Sequence, residues 1–233
     1  MEESVGIVCL PMPTPANNCG TMIFEQGIFS SAYAGSVRYY ATMLACRQVV
    51  INTHERYHKA FWSGHHCRIV GANGVQTLTI PVLKPVAGSV ITSNDLLMSE
   101  HGDWRRVHWG ALFSAYGKSP FFDYIADDLR AIYDNHDITR LVEFNEAVHN
   151  LIVDFLDLPL SVTQSESAIS ADSLDLCGKV GSKHSDNITF IKDVPYWQVW
   201  RDRYGFIPDM SILDLLMTHG RESILILNQM IAE

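Results

Sequence analysis

The chain has 233 residues, 47% hydrophobic and 18% charged, the balance of a globular protein rather than a disordered one. A formal net charge of −9 argues against a nucleic-acid partner, whose binders carry a basic footprint. No apolar run approaches the roughly 18 residues of a membrane span. The acidic start Met1-Glu2-Glu3-Ser4 is unlike a basic secretion leader, and the five scattered cysteines read as reduced thiols, so a cytoplasmic protein is expected.

In chain order, residues 1–26 read as an irregular segment, with Pro11, Pro13 and Pro15 ahead of Asn17-Asn18-Cys19-Gly20. A strand is expected over 28–33, then a helix over 37–46 with Val37, Tyr40, Met43 and Leu44 on one face. The apolar run 49–52 predicts a buried parallel strand, which completes a βαβ unit. Asn73-Gly74 predicts a hairpin joining 67–72 to 75–82. A helix should start at Asp103 as N-cap and stop at Gly117, with an apolar stripe of Trp104, Val107, Ala111, Leu112 and Ala115. Further helices are predicted over 123–134 and 138–156. Residues 161–187, rich in Ser, Asp and Gly, read as a long surface loop or a lid. Ser211 and Asp214 have the spacing of a capping box, opening a helix that ends at Gly220, and 224–231 forms the last one. The expected fold class is α/β: a single domain over 27–233, a mixed sheet from the N-terminal half packed by helices of the C-terminal half.

The densest chemistry lies in Trp104-Arg105-Arg106-Val107-His108-Trp109 and in the segment from Tyr116-Gly117-Lys118 to Asp123. Arg105 and His108, three apart, share a helix face, with Trp109 and Tyr116 in reach. Arginine binds carboxylate or phosphate bidentately, aromatic rings stack on sugars or bases, and histidine moves protons near neutral pH. The competing reading is a core helix, its tryptophans inward and its arginines paired with the abundant acids. Tyr57, Lys59 and Trp62 follow the 49–52 strand, at the carboxyl edge where open α/β sheets bind ligands. Lys59 there is either a point charge for phosphate or a solvated lysine beside two packing aromatics. Lys118 is at most a single anion contact, because Gly117-Lys118-Ser119 lacks the spacing and setting of a phosphate-binding loop. Asp123 suits a sugar hydroxyl, whereas the helix dipole accounts for Asp127 and Asp128. His54-Glu55-Arg56-Tyr57-His58 spells the zinc-protease pattern, but that chemistry needs a helix and this stretch comes straight off a strand. No metal and no cofactor is expected.

Four ordered segments carry a resemblance to a known family. They are Trp104-Arg105-Arg106 with His108-Trp109, Tyr116-Gly117-Lys118 and Pro120-Phe121-Phe122; Ser31-Ala32-Tyr33 with Tyr39-Tyr40; Ile69-Val70-Gly71-Ala72-Asn73-Gly74 leading into Leu78-Thr79-Ile80-Pro81-Val82; and Gln198-Val199 with Gly205-Phe206-Ile207-Pro208-Asp209 through Leu216. In these the chain resembles the WbqC-like proteins of bacterial surface-polysaccharide gene clusters. The resemblance implies a transferase of O-antigen or capsule assembly, with an aminoacyl group such as glycyl passed to an amino sugar. In that picture Arg105 and Lys59 bind the anionic part of a sugar nucleotide, and Trp109 and Tyr57 stack on its rings. Tyr116, Lys118 and Asp123 complete the binding residues, and His108 is the catalytic acid/base. Self-association stays open. The alternatives are a non-catalytic sugar-nucleotide scaffold and, more remotely, a zinc hydrolase built on His54 and His58. One departure stands out: Ser63-Gly64-His65-His66-Cys67 replaces the basic Arg-Asn-Arg type stretch of the family and is one residue longer, which implies a different ligand if that loop touches it.

Overall fold

Two apolar strands separated by an amphipathic helix set the centre of the fold. The computed structural model describes residues 24–57, 62–83, 91–158, 160–165, 173–180 and 188–232. Strand β1 (Phe24–Ser30) leads through helix α1 (Val37–Leu44) to β2 (Cys46–Asn52), and the strands run parallel with Ser30 opposite Asn52. Helix α1 opens where Ser36 Oγ accepts the Tyr39 amide, satisfying one of its free donors. A parallel sheet is covered on both faces, so Ile28, Phe29, Val49 and Ile51 are all buried.

A single turn, α2 (Trp62–His65), precedes the antiparallel hairpin of β3 (His66–Gly71) and β4 (Gly74–Thr79), whose turn places Gly74 at φ +98°. Three helices follow: α3 (Trp104–Tyr116), α4 (Phe122–Asp134) and α5 (Leu141–Leu156). Strands β5 (Ser161–Ser165) and β6 (Leu174–Asp175) come next. They add in parallel to β2 and β1, giving the order β5-β2-β1-β6. The chain closes with the short α6 (Arg201–Tyr204), then α7 (Ile212–His219) and α8 (Ser223–Met230). Among the described residues the parallel and antiparallel strands thus form two separate sheets, and the helices belong mainly to the C-terminal half. Part of the stretch read as loop or lid supplies the outer strands. Their pairing partners lie more than a hundred residues away, beyond any local pattern.

Helix α3 is rotated from its expected pose. Val107 is 50% exposed, whereas Arg105 and His108 are buried with Leu112 and Ala115. Those four positions recur at spacings of three and four, so the buried stripe has helical period but includes two polar residues. Asp103, expected as N-cap, sits at φ +48°, makes no side-chain cap and pairs with Arg106. Ser211 does cap α7, accepting the Leu213 amide, but Asp214 turns into the core instead of closing a capping box.

Gly220, just after α7, has φ +53°, and a Cβ there would stand 2.5 Å from the Phe121 ring. Gly220→Ala combines left-handed strain with an overlap on a large side chain. A loss of about 1–3 kcal/mol is expected, seen calorimetrically as a fall in Tm of roughly 5 °C.

Among the described residues no helix is long and apolar enough to cross a membrane.

Candidate active site at the carboxyl edge of the parallel sheet

The residues singled out on α3 are mostly internal. Arg105 is 3% exposed and donates to the carbonyls of Tyr133, Asn135 and Ile138 at 2.8–3.3 Å, and to Glu100 at 3.1 Å. Its guanidinium lies 4.9 Å from the Trp104 ring centroid. His108 holds Tyr33 Oη at 2.9 Å through Nδ1 and hydrogen-bonds the backbone of Thr79. Burial pushes its pKa down to about 4, so the ring is neutral at pH 7. Trp109 packs on Phe122 and lies under Arg130. Tyr116 is fully buried, accepts the Val70 amide and donates to Asp214 at 2.9 Å. Asp214, itself 0% exposed, also accepts from Tyr196 and Gln198 at 2.8 Å each. Burial raises the pKa of Asp214, against these three hydrogen bonds. Lys118 and Asp123 are exposed. Lys59, His58, Cys9 and Cys19 lie outside the described residues, as does almost all of the segment 1–26.

Tyr57 is in a different place. It lines a pocket where β1 and β2 end, together with Ser31, Glu55, His65, Ser93 and Asn145. A second pocket adjoins it through Ser31, Val142 and Asn145 and runs along α5 to His149. The floor is the carboxyl edge of the parallel sheet and the roof is the first half of α5, the position where open α/β sheets take ligands.

Glu55 is the acid on the wall of this pocket. It follows β2 by three residues and is half-buried. Ser30 Oγ donates to Oε2 at 2.9 Å, and Ser93 Oγ reaches Oε1 at 3.4 Å. Ser30 is fixed in turn by accepting the Gly178 amide at 2.8 Å. Burial pushes the Glu55 carboxyl up to about 7, the hydrogen bonds from Ser30, Cys177 and Ser93 pull it down, and Asp175 adds a further rise. A carboxyl so poised exchanges a proton readily at neutral pH. Sequence reasoning met Glu55 only as part of the zinc-protease pattern. The signal it offered was an acid just past a buried parallel strand, at the edge where such sheets bind ligands.

Opposite Glu55, Asn145 Nδ2 donates to Ser31 Oγ at 3.0 Å and to the Gly64 carbonyl at 2.8 Å. His149, one turn on, is neutral, with its pKa pushed down to about 4 by burial. Among the described residues no group of three His, Cys, Asp or Glu is gathered for a metal ion, and His54 is exposed with Nδ1 on Thr53.

Fold and site together define an α/β protein with a cleft, free of lysine and arginine among its described lining residues, across the ends of a short parallel sheet. Residues 31–190, which include Glu55, Tyr57, Asn145 and His149, match the WbqC-like protein family, and the chain belongs to it. It is also similar to the uncharacterized protein Rv1507c of Mycobacterium tuberculosis (strain ATCC 25618 / H37Rv), at 27% identity over 228 residues. That similarity covers 85% of this chain and 95% of the relative. No solved structure matches the chain.

Proposed function

We propose that this chain is a cytoplasmic transferase of bacterial surface-glycan assembly, O-antigen or capsule, that moves an acyl group to the amine of an amino sugar, and that Glu55 is its base. The acyl group is an aminoacyl, glycyl in the simplest case. The observation that carries the reading is a near-neutral carboxyl on the wall of a cleft at the carboxyl edge of the sheet. The amine attacks the carbonyl carbon of an activated acyl donor, a C–N bond forms and the bond to the leaving group breaks. Glu55 takes the proton that the nitrogen sheds and returns it to the leaving group. Tyr57 supplies a ring face for the sugar. Arg105, His108 and Tyr116 serve this site from behind, by fixing the packing of α3.

The test is a thermal-shift screen against nucleotides, amino acids and sugar nucleotides with and without a 4-amino group, followed by mass spectrometry of mixtures with activated glycyl donors. An amino-sugar nucleotide at a hundred times its Kd should stabilise the protein by about 2.7 kcal/mol, and product should gain the mass of the acyl group. No stabilisation by any amino-sugar nucleotide overturns the reading. Stabilisation without transfer, unchanged by Glu55→Gln, is the result a non-catalytic scaffold gives.

A further inference from the structure

Two polar atoms of residues lining the second pocket have no partner among the described residues. Asn145 is 2% exposed and His149 is 5% exposed, yet Asn145 Oδ1 and His149 Nε2 make no hydrogen bond to any described residue. Both residues line the cleft. Positions 145 and 149 are one turn apart on one face of α5, and both residues line this pocket. The orientation of Asn145 is fixed, because the Gly64 carbonyl can only accept and therefore requires Nδ2 on that side. His149 Nδ1 is 3.1 Å from Tyr40 Oη. In the tautomer in which the Tyr40 hydroxyl donates to Nδ1, the ring proton sits on Nε2. In that tautomer the pocket wall holds one buried acceptor and one buried donor, one helical turn apart. Leaving such a pair unmatched is unfavourable, because each group has lost its water and gained no partner.

We propose that Asn145 and His149 form a hydroxyl-recognising subsite that seats one ring hydroxyl of a sugar, next to the Glu55 base. A single hydroxyl lying between them would satisfy both atoms, accepting from Nε2–H and donating to Oδ1. An ionised carboxylate could not, since it has no hydrogen for Oδ1. Asn145 belongs to both pockets, so a sugar held at this subsite places its neighbouring substituent in the Glu55 pocket. The adjacency to a transfer centre rests on the function proposed above. The hydroxyl subsite itself rests only on the two unmatched atoms.

The probe is a panel of methyl hexopyranosides (gluco, galacto and manno, each with and without an amine at C4) titrated to about 100 mM into nitrogen-15-labelled wild-type protein. The side-chain signals of Asn145 and His149 are followed by NMR. At least one glycoside should shift both signals saturably, and Asn145→Leu and His149→Phe should each weaken its binding about ten-fold or more. The wild-type titration needs no variant, so a misfolded substitution does not blunt the test. Flat signals across the whole panel would mean that the subsite holds no more than a fixed water, and the proposal would fall. Saturable shifts without acyl transfer from any donor leave the subsite standing and remove the transferase. Transfer with both signals unmoved does the reverse.

Discussion

Glu55→Gln is expected to lower kcat for acyl transfer by about 10²–10⁴-fold while leaving sugar-nucleotide affinity within a few-fold of wild type. Glutamine keeps the shape and can still accept from Ser30, but it cannot take a proton. In the wild type, kcat/KM should climb with pH through an apparent pKa of about 7, where the Glu55 carboxyl ionises. The variant should lose that limb. Stability gives an independent readout. The folded pKa lies above the ordinary 4.5, so the folded state binds more protons than the unfolded one between these values. The stabilisation carried by protonated Glu55 is full below about pH 4.5 and lost as pH rises through 7. It is on the order of 2 kcal/mol once solvent around a half-buried side chain is allowed for. Urea melts of wild type should therefore weaken over that window, and melts of Glu55→Gln should not. Unchanged turnover in Glu55→Gln would remove the base from the mechanism.

The second large effect is structural. Arg105→Met should cost about 3–5 kcal/mol, because it strips the donors from three carbonyls, one in the last turn of α4 and two in its connection to α5. In a chain of this size that lowers Tm by roughly 10 °C. Arg105→Lys should rescue little, since one ammonium cannot reach carbonyls that a planar guanidinium serves in several directions. Glu100→Gln should cost under about 1 kcal/mol, because Glu100 is 55% exposed in its ion pair with Arg105. The opposite outcome, an intact Tm with a raised KM for sugar nucleotide in Arg105→Lys, would return Arg105 to the substrate.

Much of the fold was legible before the structure. The Asn73-Gly74 hairpin, the βαβ start and the long amphipathic α5 all rest on local signals: a turn that needs positive φ, and apolar periods of two and 3.6. The site was legible only in part. Arg105 and His108 do share a face, as their spacing dictates, but spacing does not say whether that face looks inward. Here the inward stripe has polar members, and their partners are Tyr33, Thr79, Tyr133, Asn135 and Ile138, from three other parts of the chain. Tyr57 and the carboxyl edge beside it were read from topology alone. Glu55 was passed over because its burial, and the contacts with Ser30, Ser93 and the segment at 175–178 that set its pKa, come from distant parts of the chain, and no window of sequence holds these together. Asn145 and His149 looked like ordinary polar positions on α5, and only the want of partners for Oδ1 and Nε2 sets them apart.

The strand order has a kinetic consequence. The central pair, β1 and β2, is complete by residue 52, but its outer neighbours begin at residues 161 and 174. On the ribosome both edges of that apolar pair stay open while more than a hundred further residues are made. Open edges of this kind invite pairing with other nascent chains. The last fixed point of the cleft, the Gly178 amide on Ser30, arrives later still. A chain stopped short of residue 178 would carry Glu55, Asn145 and His149 and still lack the geometry that makes them a site. Contacts so distant in sequence also place this protein among the slower folders for its length.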